Sequence, residues 1–184
     1  MTDVTQARVL IMATDGFEQS ELFSPRDALK DAGMQVTLAS IALDPIQGML
    51  HADKGLTITP DATIDQVDVE DYDALVLPGG LANPDALRLH PEAIAIIEAF
   101  FDADKIVAAI CHAPWLLIEA DVVDGRRVTS WPSLQTDLEN AGGEYVDEEV
   151  VIDGNLITSR NPDDLPAFNA ALIEAIDAQV SAAA

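Results

Sequence analysis

Apolar positions along the chain follow two patterns, one typical of buried strands and the other of amphipathic helices. Continuous apolar runs rich in β-branched residues predict strands, whereas apolar residues at helical spacing predict helices with one buried face. The strands predicted in this way span residues 7–13, 34–40, 73–77 and 106–110. The predicted helices span residues 20–32, 91–102, 133–141 and 163–180.

The remaining segments predict short extended pieces. Residues 44–60 are rich in turn-forming residues and predict a hairpin near an edge of the sheet, and residues 127–130 predict a short strand. Residues 149–152 and 155–159 flank Asp153-Gly154, which is a strong signal for a hairpin with a two-residue loop.

Strands that alternate with amphipathic helices predict an α/β fold with a mainly parallel sheet and helices on both faces. We expect a single domain over residues 1–184, with a core at about residues 7–178. Ligands of such sheets bind beyond the carboxyl ends of the strands. Three predicted strand ends carry the residues of most chemical interest, which are Glu18, Gly79, Gly80 and Cys111.

The strand that ends at Cys111 has the layout of a nucleophile elbow, a sharp strand-to-helix turn that exposes a reactive side chain. Pro114 stands where a first helical turn begins, and Ala109 and Ala113 are the small residues that a sharp turn needs. A thiol at a helix start is expected to favour the thiolate. The alternative is that Cys111, the one cysteine of the chain, is a small buried apolar residue.

The other strand ends suggest partners for this thiol. Gly79-Gly80 leaves backbone N–H groups uncovered, and these could receive an oxyanion; the alternative is a plain tight turn. Glu18 is a candidate proton carrier, or alternatively a helix-start residue that complements the helix dipole. A contact between His112 and the thiol is not predicted, because consecutive residues on a helix do not face each other.

The chain is strongly acidic, with 33 Asp and Glu against 9 Lys and Arg and a net charge of −24. Such a surface repels nucleic acid and anionic membranes, so we expect neither as a partner. Self-repulsion at this density is relieved by high salt, which suggests a halophilic protein from a salty cytoplasm. No signal peptide is recognised, and a cytoplasmic location is expected. The spacing of His, Asp and Glu fits no metal site, and no cofactor is expected.

Several short motifs together resemble the ThiJ/PfpI superfamily, with the PfpI branch of intracellular peptidases, stress proteins and protein deglycases as the nearest match. The resemblance spans about residues 8–176. The motifs that carry it are Asp15–Glu18, Leu77–Gly80, Ala109–Pro114, Thr129–Pro132, Thr158–Arg160 and Pro162–Leu165.

This resemblance implies a flavodoxin-like fold related to class I glutamine amidotransferases, with Cys111 as nucleophile, Glu18 as the carboxylate beside it and His112 as the adjacent histidine. In the PfpI branch an acidic residue of a neighbouring subunit orients this histidine, and Asp85 matches that position. We therefore expect a homo-oligomer in which Asp85 faces His112 of the next chain; the alternative is that Asp85 only caps the helix start after Pro84. Ala113 stands where the family generally has Gly, and a helical conformation would make this departure harmless. We place Ala113 and Trp131, with the two glycines, among the oxyanion-binding or substrate-binding residues.

Three functions are compatible with these residues. The first is a cofactor-free cysteine hydrolase or lyase that acts on small reactive carbonyls, as glyoxalases and protein deglycases do. The second is an intracellular cysteine peptidase, and the third is a non-catalytic stress protein that senses redox state through Cys111. A glutaminase is rejected because its triad needs a histidine well downstream of the cysteine, and none follows His112.

Overall fold

The computed structural model of the protein describes residues 7–183, so the predicted domain limits at 1 and 184 lie outside the described residues. The strands are β1 (Arg8–Met12), β2 (Phe17–Glu18), β3 (Gln35–Ser40), β4 (Ile46–Leu50), β5 (Asp53–Ile58), β6 (Ala62–Thr63), β7 (Ala74–Leu77), β8 (Ile106–Ile110), β9 (Arg127–Val128), β10 (Glu144–Tyr145), β11 (Val151–Asp153) and β12 (Leu156–Ser159). The helices are α1 (Gln19–Asp31), α2 (Ala82–Leu87), α3 (Pro91–Asp102), α4 (Pro114–Glu119), α5 (Gln135–Asn140) and α6 (Leu165–Ala183).

A seven-stranded sheet forms the centre of this single-domain α/β fold, in the order β11-β12-β8-β7-β1-β3-β6. Every neighbouring pair is parallel except β11 and β12. The predicted fold class is therefore confirmed. The sheet brings the carboxyl ends of β1, β7 and β8 side by side, which places their following loops at one edge.

The continuous apolar runs are explained by burial on both faces of the sheet. Along β1, Leu10 and Met12 pack into the core on one face, whereas Val9 and Ile11 pack into the core on the other. All four side chains are fully buried. A strand covered on both sides has no solvent face, so its sequence shows no alternation of apolar and polar residues.

The hairpin predicted in residues 44–60 is confirmed, although it lies outside the seven-stranded sheet. β4 and β5 are antiparallel, and β4 also pairs with β2 in a separate three-stranded sheet. The pairing with β2 follows from hydrogen bonds between the loop after β1 and the hairpin, including Gly16 N–H to the Gln47 carbonyl at 2.8 Å. The hairpin therefore stands beside the carboxyl edge of the main sheet.

Two other extended segments differ in detail from the prediction. Asp153 pairs with Leu156, so the β11–β12 loop is Gly154-Asn155 and lies one residue later than predicted. Gly154 takes the positive φ of this turn (+59°), a conformation that glycine adopts without steric cost. The strand predicted at 127–130 is limited to β9, which pairs with β10 in a sheet of its own.

Helix α1 includes Pro25 in its interior, beyond the first turn in which a helix accommodates proline without a kink. Pro25 is buried there on the same face as Glu21 and Leu22.

Within residues 7–183, no helix combines the length and apolarity needed to cross a lipid bilayer.

Candidate active site

The turn after β8 holds Cys111 in an unusual backbone conformation. Cys111 has φ +65°, a value that costs strain for a residue with a Cβ and that often marks functional positions. Its N–H donates to the Ser159 carbonyl at 3.0 Å, and its own carbonyl accepts the Trp131 N–H at 2.8 Å. These bonds fix the turn between β8 and α4 from both sides.

Cys111 and His112 contact each other, although the sequence did not predict this contact. Cys111 Sγ lies 3.1 Å from His112 Nδ1. The reason is the positive φ of Cys111, because the two residues are not consecutive positions of a helix. His112 is also held between two indoles, stacked on Trp131 at 5.7 Å between ring centroids and edge-on to Trp115 at 5.3 Å.

The carboxyl group beside the thiol belongs to Glu21, so the assignment of this place to Glu18 is corrected. Glu21 is fully buried on the first turn of α1, and its Oε2 accepts the Gly79 N–H at 2.9 Å. Its other oxygen, Oε1, has no hydrogen-bond partner among the described residues. The rotation of α1 about its own axis places Glu21 beside the thiol, because Glu21 lies next to Leu22 on the buried side of the helix.

Glu18 lines the same cleft but its carboxylate is used elsewhere. Glu18 Oε2 accepts the backbone N–H of His51 at 3.0 Å, at the tip of the β4–β5 hairpin. Glu18 is also the residue that precedes α1, where its side chain makes no capping hydrogen bond. Glu18 therefore lies at the start of a helix, as the alternative interpretation of this residue expected.

Burial and the two glutamates shift the titration of the site. Burial, with a contribution from the Glu18 charge, raises the pKa of Glu21 to about 8, so this group is a neutral acid at pH 7. Burial, followed by the charge of Glu21, raises the pKa of the Cys111 thiol. This direction is opposite to the low thiol pKa expected from the helix start, because desolvation outweighs the short helix α4. Burial lowers the pKa of His112, which leaves a neutral imidazole able to accept a proton.

The two glycines after β7 have different roles. The Gly79 N–H is occupied by Glu21, so it is not available to an oxyanion. The Gly80 N–H faces the sulfur of Cys111, as does the His112 N–H. Gly80 has φ +81°, and a Cβ there would overlap the Gly16 carbonyl and lie 2.6 Å from the Glu18 nitrogen. Of the two predicted oxyanion donors, only Gly80 remains a candidate.

The other predicted site residues fall in three different places. Ala113 is fully buried with φ −57° and ψ −30°, which confirms its helical conformation. Its N–H donates to the Ile110 carbonyl at 3.1 Å, so its assignment to the binding surface is wrong. Trp131 lines the cleft and covers His112. Asp85 is exposed on α2 and is not among the residues that line the cleft.

Sequence analysis missed several residues that shape the site. The fully buried Asn83 accepts the Thr14 N–H at 2.7 Å and donates to the carbonyls of Pro78 and Gly79 at 2.9 and 3.0 Å. It thereby ties the loop after β1 to the loop after β7. For Asn83 the available signal was a polar residue just before Pro84, and for Glu21 it was an acid directly before the buried Leu22. The cleft itself measures about 360 Å³, and its walls include Gly16, Met49, His51, Leu81, Ala82 and Pro162.

The fold and the site together define a class: an α/β protein with a cysteine–histidine pair in a cleft at the carboxyl edge of its sheet. The chain belongs to the DJ-1/PfpI family, which it matches over residues 7–175.

Similar proteins extend this assignment. Protein/nucleic acid deglycase 2 of Escherichia coli is 44% identical over 165 residues, which cover 88% of this chain and 93% of that protein. General stress protein 18 of Bacillus subtilis is 42% identical over 165 residues, with the same coverage of 88% and 93%. The crystal structure of Drosophila melanogaster DJ-1beta superimposes with a TM-score of 0.84 at 30% identity and covers 97% of each chain.

Proposed function

We propose that this protein is a cofactor-free cysteine enzyme that acts on small reactive carbonyls, namely α-oxoaldehydes such as methylglyoxal and their early adducts on amines. The observation that carries the proposal is the 3.1 Å contact between Cys111 Sγ and His112 Nδ1 in the cleft. A volume of about 360 Å³ suits a small molecule. Relatives named deglycases support the same chemistry.

The first step is addition of the thiol to an aldehyde carbon. The S–C bond forms while the C=O π bond breaks, and the thiol proton passes to His112 Nδ1 and then to the new alkoxide. Because the pKa of His112 is lowered, its imidazole is neutral and can accept that proton. The Gly80 N–H, directed at this region, stabilises the alkoxide as it develops.

The second step needs no external oxidant. The adduct is a hemithioacetal with a neighbouring ketone. The C–H proton of the former aldehyde carbon is transferred to the ketone carbon and the hemithioacetal O–H proton to the ketone oxygen, so the former aldehyde carbon becomes a thioester carbonyl while the ketone becomes an alcohol. Water then cleaves the thioester, which releases a hydroxy acid and restores the thiol. Glu21, neutral below about pH 8, is the acid next to the sulfur that can donate and regain a proton during these transfers.

Turnover of methylglyoxal, followed as hydroxy acid formed, tests the proposal. Cys111→Ser should lose at least about a hundredfold in kcat/KM, because a hydroxyl without a strong base is a poor nucleophile. His112→Gln should lose a large part of the rate. Its remaining activity should no longer decline on the acid side of neutrality, because the imidazole that is protonated there is absent. His90→Gln serves as the control, since His90 is a histidine outside the cleft that pairs with Glu92.

A panel of peptides in the same assay distinguishes the peptidase alternative. Peptide cleavage that depends on Cys111 without conversion of methylglyoxal would replace the carbonyl proposal by the peptidase. No turnover of either class, together with reversible oxidation of Cys111, would favour the redox-sensing role instead.

A further inference from the structure

The tip of the β4–β5 hairpin presents a histidine to the cleft in a strained conformation. His51 follows β4 with φ +56°, a backbone region that favours glycine. Its side chain is exposed and lines the same cleft as Cys111 and His112. Strained non-glycine residues cluster at active sites and ligand-binding clefts.

Three side chains of the 15–19 segment hold this hairpin in place. Glu18 Oε2 accepts the His51 N–H at 3.0 Å, Asp15 Oδ1 accepts the Gln47 N–H at 2.7 Å, and Gln19 Oε1 accepts the Leu56 N–H at 2.6 Å. All three bonds go to backbone N–H groups, so they position the hairpin without using the imidazole. His51 is thus fixed by its backbone while its ring is left for another contact.

The composition of the cleft makes this imidazole distinctive. Met49, Leu81, Trp131 and Pro162 are walls without charge, and no Lys or Arg of residues 7–183 lines the cleft. His112 directs Nδ1 at the thiol, whereas the His51 ring has no hydrogen bond within the described part of the chain. Trp131 Nε1 and His112 Nε2 also lack hydrogen-bond partners among the described residues, but these two rings are stacked on each other. His51 is therefore the imidazole at the cleft that neither a hydrogen bond nor ring stacking within the described residues holds.

We propose that His51 is a substrate-binding residue that donates a hydrogen bond to the carbonyl oxygen adjacent to the carbon attacked by Cys111. This inference rests on the proposed function and narrows it, because it selects α-dicarbonyl compounds over simple aldehydes. An aldehyde without a neighbouring oxygen gains nothing from the imidazole, whereas an α-oxoaldehyde gains one hydrogen bond in both ground state and transition state.

His51→Gly tests the role of the ring with little disturbance of the backbone. Glycine accepts φ +56° without strain and keeps the N–H that Glu18 binds, so the melting temperature should not fall. KM for methylglyoxal should rise about five- to tenfold with kcat nearly unchanged, as expected for loss of one uniform hydrogen bond. His51→Asn, which tolerates positive φ and restores an N–H donor, should recover part of the loss.

Alkylation of Cys111 provides a readout that does not depend on turnover. Iodoacetamide carries a carbonyl oxygen next to the carbon attacked by the thiolate, whereas allyl bromide lacks one. His51→Gly should slow the reaction with iodoacetamide about fivefold relative to allyl bromide, and His90→Ala should leave this ratio unchanged.

The two readouts separate the two proposals. If the wild-type protein does not convert methylglyoxal, the proposed function fails, yet the alkylation ratio still reports on His51. An unchanged ratio in His51→Gly, or an equal change in His90→Ala, would overturn the assignment of His51.

Discussion

The carboxyl group of Glu21 accepts the Gly79 N–H at 2.9 Å across 58 positions of the chain. This bond links the first turn of α1 to the loop after β7 and places a buried acid beside the Cys111 thiol. The same bond removes Gly79 from the possible oxyanion donors. One helical residue therefore decides both the acid–base chemistry of the site and which backbone groups remain available to substrate.

Glu21 should make the stability of the protein depend on pH. Its pKa rises from 4.5 to about 8 on folding, so the folded state holds a proton that the unfolded state releases above about pH 4.5. The stabilisation from this group is complete below about pH 4.5 and is lost as pH rises to about 8. Glu21→Gln keeps an oxygen for Gly79 and should be more stable than wild type at pH 8, by on the order of a few kcal/mol.

Urea unfolding at pH 5, 7 and 9 in constant high salt measures this difference. Glu98→Gln is the matched control, because it makes the same substitution at an exposed position on α3. Parallel stability curves for wild type and Glu21→Gln would show that Glu21 does not hold its proton in the folded state.

Gly80 should tolerate no side chain, for two separable reasons. Gly80 and Gly125 both have positive φ, +81° and +71°, so Ala at either position costs about 1 kcal/mol. A Cβ on Gly125 meets nothing within 4 Å, whereas a Cβ on Gly80 overlaps the backbone of the loop after β1. Thermal melts should show a small loss for Gly125→Ala and a much larger one for Gly80→Ala. Equal losses would contradict the close backbone approach.

Salt should stabilise the folded protein. Among the acidic residues of the described part of the chain, Glu18, Glu21 and Asp164 are buried, so the other acidic side chains there lie on accessible surface. At about 1 M salt the Debye length is about 3 Å, and repulsion between these charges largely vanishes. The melting temperature should rise steeply between 0.1 and 2 M, equally in NaCl and KCl, and much less in sucrose of the same osmolarity. A flat response to both salts would contradict the halophilic interpretation.

Asp85 should face His112 of a second chain in a homo-oligomer. Asp85 is exposed on α2, and the flanking Leu81 and Leu89 expose 64% and 79% of their surface. An apolar and weakly charged patch is suited to association of acidic chains. Light scattering in high salt should give at least a dimer, and Leu89→Asp should shift it towards monomer.

Asp85→Asn should retain the oligomer and lower the rate of any peptide cleavage, because it removes only the charge. A strict monomer at all protein concentrations, or unchanged assembly in Leu89→Asp, would refute this arrangement.

The central sheet was predictable because burial on both faces leaves a direct record in the sequence. Ile106–Ile110 and Ala74–Leu77 are apolar at every position, so their identity as strands did not depend on context. The predicted helix at 91–102 coincides with α3 for the same reason, since one continuous face of it is apolar. The hairpin loop at Gly154-Asn155 was misplaced by one residue, because two neighbouring dipeptides satisfy the same turn rules and only the pairing of Asp153 with Leu156 distinguishes them.

The amino-acid sequence by itself determined the α/β class, the strand ends that carry Cys111 and the two glycines, and the cysteine–histidine dipeptide. These follow from local periodicity and residue type. Only the tertiary structure decided that Glu21 rather than Glu18 stands beside the thiol. It also decided that the N–H of Gly80 rather than that of Gly79 is available to an oxyanion, and that His51 reaches the cleft. The reason is physical: helix phase, backbone φ and desolvation depend on contacts between segments far apart in the chain, and these contacts leave no periodic signal in the sequence.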